Sequence, residues 1–285
     1  MLIGQKRQIK IYQSCEFLQI VAFFSTINGI MKTVILCGGK GTRLKEETEF
    51  KPKPMIEVGG KPLLWHIMQI YMHYGYSDFI IALGYKGEII KDFFLNYYTT
   101  FNNFTLDSSS GKITILDGQK HKTFTVTLVD TGLETTTGGR IKRIAPFITG
   151  DEFMVTYGDG VADIDINKLV DFHHQKGSLG TISGVRKRSR FGLIKAHDKN
   201  GLVLEFAQKP MMEEFLSGGF MVFKKEALKY FTDNIMEEAL VEMTKNKELS
   251  MYEHKGFWEA VDTYNELEML NDLWGEGRPW AIWEK

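Results

Sequence analysis

The chain has 285 residues, and its 35 Lys plus Arg against 36 Asp plus Glu leave a formal net charge of −1. That balance excludes a general nucleic-acid or polyanion binder. A composition of 43% hydrophobic and 25% charged residues excludes a disordered or fibrous chain, and the length suffices for a sizeable core.

In chain order, the opening MLIGQKRQIK is basic and Phe17 to Phe24 is apolar, the outline of a signal peptide. Glu16 abuts that run, however, and the run is far shorter than the roughly twenty residues that span a bilayer. Residues 1–30 are therefore read as an extension of doubtful structure, with a single domain starting at Met31. No other stretch approaches transmembrane length, so no membrane contact is expected. Cys15 and Cys37 are too few for a disulfide framework or a four-thiolate zinc site, which points to the reducing cytoplasm.

From Lys32 onward short apolar runs alternate with helical patterns. This predicts an α/β fold, a Rossmann-like, mostly parallel sheet with helices on both faces. Val34 to Leu36 is the first strand. Leu64, Ile67, Met68 and Tyr71 follow at helical spacing, with Pro62 near the start and Gly75 at the C-terminal cap. Phe79 to Leu83 is the next strand, and Ile89 to Tyr97 an amphipathic helix. The polar stretch Thr99 to Lys122 predicts irregular structure or an inserted hairpin. Phe124 to Val129 and Phe153 to Tyr157 are further strands, and Asp165 caps a helix running to Lys176. Beyond Gly180 the strands are shorter and more polar, predicting a smaller, partly antiparallel lobe. The nucleotide half is thus placed at about 31–178 and the second-ligand half at about 179–285. A helix spans Thr263 to Trp274, and Trp280 and Trp283 mark either a docking patch or core cover.

Chemistry concentrates in four places. Cys37-Gly38-Gly39-Lys40-Gly41-Thr42-Arg43-Leu44 follows a buried strand directly, and its glycines let backbone N–H groups turn toward an anion. It matches neither a P-loop nor the dinucleotide fingerprint, which needs a third Gly where Leu44 stands. Arg43 is a cation that could hold a triphosphate. In Lys51-Pro52-Lys53-Pro54-Met55 two prolines hold the chain extended and limit where the Lys53 ammonium points. Asp159, between glycines at the end of an apolar strand, stands where open sheets place ligands. Asp262 precedes a helix and is either its cap or the second acid of a divalent-cation site. His66 reads as a core histidine. His173 and His174 are adjacent on a helix and face different directions, which argues against a shared metal. The run Arg186-Lys187-Arg188-Ser189-Arg190 is a solvated turn or a rim attracting anions.

The ordered segments MKTVILCGGKGTRL, KPKPM, GGKPLLWHIM, VTYGDGVAD, FGLI, QKP, SGGFMVF and GFWEAVDT cover nearly everything from Met31 to the C-terminus. Together they resemble the sugar-phosphate nucleotidylyltransferases, in particular the cytidylyl branch that acts on glucose 1-phosphate. The resemblance implies attack of a sugar 1-phosphate oxygen on the α-phosphorus of CTP, with pyrophosphate leaving and Mg²⁺ bridging the phosphates. It implies nucleotide binding by Leu36, Cys37, Gly38, Gly39, Lys40, Gly41, Thr42, Thr135, Arg140 and Gly158. Arg43 would hold the β and γ phosphates, and Lys53 would neutralise charge at the reacting phosphorus. Asp159 and Asp262 would bind the metal, with Lys53, Gly192, Lys209 and Gly218 around the sugar phosphate. By the same analogy the product is CDP-glucose for CDP-deoxysugar and surface-polysaccharide synthesis, and the protein is a trimer or hexamer.

Two departures fall in the implied sugar pocket. Gln208-Lys209-Pro210 stands where the family usually has Glu-Lys-Pro, and Ser217-Gly218-Gly219 where it has Asn-Gly-Gly. An unmet buried polar group costs about 1 to 3 kcal/mol, so these changes make the sugar less secure than CTP. The alternatives are a cytidylyltransferase for another sugar or small-molecule phosphate, and a non-catalytic sugar-nucleotide binder. Retention of Arg43, Lys53, Asp159 and Asp262 together speaks against the binder. A nicotinamide oxidoreductase is disfavoured by the missing third glycine.

Overall fold

Strand β1 (Lys32–Cys37) is buried from Thr33 to Cys37, so it needs cover on both faces and a neighbour on each edge. The computed structural model, which describes residues 31–116, 123–189 and 191–284, supplies both. The extension at residues 1–30, with Cys15, lies outside the described residues, as do residues 117–122 of the polar stretch and Arg190. β1 pairs in parallel with β2 (Asp78–Leu83) on one side, and β2 pairs in parallel with β3 (Thr125–Asp130). On the other side β1 pairs in parallel with β4 (Glu152–Tyr157). The later strands β5 (Gly180–Val185), β6 (Leu216–Lys224) and β7 (Leu249–His254) complete a seven-stranded sheet of order β7-β5-β6-β4-β1-β2-β3. Within it β6 alone runs against both of its neighbours. The partly antiparallel part thus continues the main sheet, and only short pairs such as Leu193–His197 with Val203–Ala207 stand apart from it. Residues from Met31 form one compact unit.

The period of two along each strand assigns the helices to faces. Ile35 and Cys37 point into a core with α1 (Leu63–His73), α2 (Gly87–Leu95), α4 (Ile166–Lys176) and α6 (Tyr264–Glu276). Val34 and Leu36 point into the opposite core with α3 (Thr137–Ile144) and α5 (Met236–Lys245). Pro62 is the N-cap of α1 and Gly75 lies just past its end at φ 90°, a left-handed turn that glycine takes without strain. The Asp165 carboxylate accepts from the Lys168 N–H at the start of α4. No helix among the described residues is long and apolar enough to cross a membrane.

Two expectations are corrected. The segment around Lys53, expected to be extended, closes into a short helical turn over Lys53–Met55, with the Met55 N–H donating to the Pro52 carbonyl at 2.8 Å and the Ile56 N–H to the Lys53 carbonyl at 3.1 Å. The helix expected through Tyr97 breaks at Asn96, whose amide donates to the Asp92 carbonyl, and a separate short helix spans Tyr97–Phe101. Of the two forms expected for the polar stretch, the described residues show the hairpin, Phe104–Asp107 with Lys112–Ile115. His173 and His174 face different directions as expected: His173 is buried with its Nδ1 2.8 Å from the Thr181 hydroxyl, while exposed His174 has its Nε2 2.7 Å from Glu152 Oε2. Among the described residues, no group of three or more His, Cys, Asp or Glu is placed to hold a metal.

The C-terminal tryptophans are core cover. Trp280 is fully buried and its Nε1 donates to His66 Nδ1 at 3.3 Å, while His66 Nε2 lies 2.9 Å from the Val58 carbonyl. Only the neutral imidazole with its proton on Nε2 satisfies both contacts. Burial holds the His66 pKa down at about 4, against the pull of the Val58 and Lys61 carbonyls. The unfolded imidazole, near 6.5, takes a proton that the folded chain refuses between those two values. This contribution is complete above pH 6.5 and falls away toward pH 4. Urea unfolding should therefore show about 2 kcal/mol less stability at pH 5 than at pH 7.5 from this residue. His66→Gln should flatten the profile by that amount, and an unchanged slope would refute the assignment.

Candidate active site

Chain connections leave β1 toward β2 on one side and reach β4 on the other, and such a switch point opens a crevice beyond the strand ends. A cavity of about 410 Å³ lies there. Leu36, Cys37, Gly38, Gly39, Gly41, Thr42, Arg43, Thr135, Arg140 and Gly158 line it, together with Lys53, Asp159 and Asp262. Lys40 does not, because Glu134 holds its ammonium at 2.6 Å on the exterior. Gly158 is where β4 passes closest to the loop: an added Cβ would stand 2.7 Å from Pro54 Cγ and 3.1 Å from the Leu36 carbonyl. Burial raises the Cys37 thiol pKa, reinforced by Asp159, so Cys37 stays a neutral wall of the cavity.

Residues far apart in sequence meet at the cavity floor. Lys53 Nζ donates to Asp159 Oδ2 at 2.7 Å and to Asp262 Oδ1 at 2.8 Å, and Arg43 Nη1 donates to Asp262 Oδ2 at 2.9 Å. The two acids are drawn together by a short strand that sequence periodicity does not reveal. Gly160–Ala162 pairs antiparallel with Trp258–Ala260, and the Val261 N–H donates to the Asp159 carbonyl at 2.9 Å. Burial disfavours the Lys53 ammonium, but Asp159 and Asp262 outweigh it and hold its pKa above the ordinary lysine value. Two carboxylate oxygens within 2.8 Å of one cationic nitrogen form a donor set that suits a hard cation. A divalent ion such as Mg²⁺ commonly takes one or two carboxylates and completes its shell with water and phosphate oxygens.

Arg140 lines this cavity, and its guanidinium is held by the surrounding backbone. It is 3% exposed. Its Nη1 donates to the Leu83 carbonyl, the Thr131 hydroxyl and the Gly132 carbonyl at 2.6 to 2.9 Å. Its Nη2 donates to the Gly38 carbonyl at 3.0 Å and the Leu133 carbonyl at 3.3 Å. The guanidinium is engaged in tying the glycine-rich loop to the segment after β3. Gly38 and Gly84 make room for it, since a Cβ at either would come within 2.5 Å of its atoms. Thr135, another expected nucleotide contact, donates to the Thr131 carbonyl and accepts from Arg143.

A second cavity, of about 350 Å³, adjoins the first through Asp262 and is lined by Lys187, Arg188, Ser189, Met212, Trp258 and neighbours. Gly192, Lys209 and Gly218 are not among its lining residues. Gly218 supports it from behind, its carbonyl accepting from Trp258 Nε1 at 2.7 Å. Gly192 packs against Phe206, where a Cβ would stand 2.3 Å from the ring. Lys209 is exposed at φ 46°, beside the pairing of residues 187–189 with 210–212. The two departures, Gln208 and Ser217, are also exposed. Of the basic run, Lys187 is engaged by Glu259 and Glu266 rather than solvated.

A model of the family described as nucleotidyl transferase matches residues 32–272. The chain belongs to the nucleotidyl transferase family. It is 43% identical over 258 residues to a Bacillus subtilis (strain 168) protein named probable glucose-1-phosphate cytidylyltransferase, covering 89% of this chain and 100% of the relative. A Salmonella typhimurium glucose-1-phosphate cytidylyltransferase is 42% identical over 260 residues, with the same coverage. Among solved structures, HddC from Yersinia pseudotuberculosis superposes with a TM-score of 0.63 at 23% identity, covering 86% of this chain and 99% of that one. UDP-glucose pyrophosphorylase in complex with UDP-glucose gives a TM-score of 0.61 at 16% identity, covering 87% and 100%. These two likenesses concern the fold.

Several lining residues of this nucleotidyl transferase escape sequence reasoning. Thr136, Thr137 and Ile235 form one wall of the first cavity. The Thr136 hydroxyl donates to the Asp233 and Asn234 carbonyls and accepts from the Gly139 N–H, which fixes α3 against the loop before α5. A helix cap at Thr136 is legible as Thr before a helical pattern, but its contact with residues 233–234 is not. Tyr157, whose hydroxyl donates to Glu237 at 2.7 Å, reads only as the last residue of an apolar strand.

Proposed function

We propose that this enzyme transfers CMP from CTP to α-D-glucose 1-phosphate, releasing pyrophosphate and forming CDP-glucose. The observation that carries the reading is the single contact chain Arg43–Asp262–Lys53–Asp159 at the floor of a glycine-lined cavity. The names of the relatives that match along their whole length support cytidine and glucose as the partners. The nucleotide enters the first cavity, its phosphates facing the N–H groups of the Gly38 to Thr42 loop. The acceptor occupies the second cavity, so that its phosphate oxygen approaches the α-phosphorus beside Asp262. A new O–P bond forms as the bond to pyrophosphate breaks, with no covalent enzyme intermediate. The chain's own contribution is positioning and fixed charge. Lys53 neutralises the reacting phosphate, and Arg43 swings from Asp262 to hold the departing phosphates.

Asp159 and Asp262 would hold Mg²⁺, and the ion would supply charge neutralisation along the polyphosphate. Pyrophosphate release across four nucleoside triphosphates and several sugar 1-phosphates tests the reading. CTP with glucose 1-phosphate should be preferred and excess EDTA should abolish turnover. Equal rates with EDTA, or preference for another base, would overturn it.

The cytoplasm, where a thiol such as Cys37 stays reduced, suits supply of CDP-glucose to deoxysugar and surface-polysaccharide synthesis. A homo-oligomer, trimer or hexamer, is part of the proposal. It is supported by the hairpin Phe104–Asp107 with Lys112–Ile115, which places Phe104 opposite Ile115 and Leu106 opposite Ile113, all four exposed. A lone hairpin with such a face is marginal in water. Leu106→Glu with Ile113→Glu should convert the assembly to monomers in light scattering. An unchanged mass would exclude this face as the contact.

A further inference from the structure

We propose that Lys187, Glu259 and Glu266 form a positioning relay that fixes Asp262 over the nucleotide cavity, so that Lys187 tunes cation binding without touching the reacting atoms. The inference rests on the reading of Asp262 as a cation-holding acid. Asp262 sits between the short strand Trp258–Ala260 and α6, and its carboxylate direction depends on how the backbone turns into that helix. The turn is set by Glu266. Its Oε2 accepts from the Asp262 N–H at 2.7 Å and from the Thr263 N–H at 2.9 Å, a capping box whose acidic member lies inside the protein at 8% exposure.

Glu266 is oriented in turn by its other oxygen, Oε1, which accepts from Lys187 Nζ at 3.4 Å. The same ammonium donates to Glu259 Oε1, also 8% exposed, and that oxygen accepts from the Ala260 N–H at 3.1 Å. One cation therefore serves two buried carboxylates, and each carboxylate holds backbone on one side of Asp262. Loss of that cation removes an attraction from both carboxylates, which lets Glu266 turn. If Glu266 turns, it releases the Asp262 N–H. The origin of Lys187 gives the relay a use. It follows β5 and lines the second cavity, whereas Asp262 lines both cavities. The relay thus joins the wall of the acceptor cavity to the acid that faces the polyphosphate.

Mn²⁺ binding to the full chain in the presence of CTP, read from its electron paramagnetic resonance signal, tests this apart from turnover. The parent should bind Mn²⁺ and Asp262→Asn should not. Lys187→Met should raise the Mn²⁺ Kd at least tenfold while the KM for glucose 1-phosphate changes less than threefold, and Lys187→Arg should recover most of the loss. Glu266→Gln keeps a capping acceptor of the same size but drops the charge paired with Lys187. It should raise the Kd three- to tenfold and serves if Lys187→Met fails to fold. Unchanged Mn²⁺ affinity in Lys187→Met or Glu266→Gln, with the parent binding normally, overturns the relay and leaves the proposed reaction standing. A rise confined to the KM for glucose 1-phosphate overturns it in favour of direct contact with the acceptor. A parent that binds no Mn²⁺ with CTP overturns the relay together with the cation assignment beneath it.

Discussion

Lys53→Met should lower kcat for pyrophosphate release by on the order of 10²–10³, the usual cost of removing one preorganised charge donor from a transition state. Lys53 is the only residue in contact with both floor acids among the described ion pairs, at 2.7 Å from Asp159 and 2.8 Å from Asp262. Its side chain is 13% exposed, which keeps its field from being screened by water. The two prolines around it place its short helical turn against α1, so the ammonium is aimed before substrate arrives. Such preorganisation favours the transition state more than the ground state, so kcat should fall more than KM for CTP rises. Lys53→Arg keeps the charge, yet a planar fork differs in shape and reach from a compact ammonium. It should restore less than a tenth of the lost rate. Steady-state kinetics of both variants decide the matter, and a kcat within threefold of the parent for Lys53→Met would remove Lys53 from the reaction.

Arg140→Met should be among the most destabilising single changes in the protein. Its guanidinium satisfies four carbonyls and one hydroxyl drawn from the glycine-rich loop, from β2 and from the segment after β3. Each buried acceptor left unmet costs about 1 to 3 kcal/mol, although water entering from the adjoining cavity recovers part of that. The net loss should be about 3–5 kcal/mol, which lowers the melting temperature of a domain this size by on the order of 10 °C. Arg140→Lys should recover less than half, because one ammonium cannot reach the Gly38 and Gly132 carbonyls in the fork's geometry. Scanning calorimetry reads both variants. An Arg140→Lys protein melting within 2 °C of the parent would show that the network contributes little. CTP affinity should fall in both variants, since the Gly38 carbonyl is what Arg140 uses to hold the loop.

The strand at Val34 to Leu36, the helix between Pro62 and Gly75 and the cap at Asp165 were legible because each depends on neighbours within a few residues. Local propensity and capping chemistry decide such features before any long-range contact forms. The same holds for the glycine-rich loop after β1, where backbone freedom is a property of the residue type itself. It does not hold for the Lys53 segment, which forms a short helical turn over Lys53–Met55 instead of the extended chain its prolines suggest.

Convergence could not be read in this way. Lys53 and Asp159 are 106 residues apart, and Arg43 and Asp262 are 219 apart. What joins them is the order of strands in the sheet and a three-residue pairing too short to carry a hydrophobic period. Burial decided the rest. In the sequence Arg140 is a candidate nucleotide contact and Lys187 part of a basic run, and only the surrounding carbonyls and carboxylates show that one ties loops together while the other balances two hidden acids. Amino-acid order determined which local pieces this chain can form and where the glycine-rich loop sits. Tertiary structure alone decided which charges face each other, because electrostatic partnership depends on distance and dielectric, and neither is a function of position along the chain.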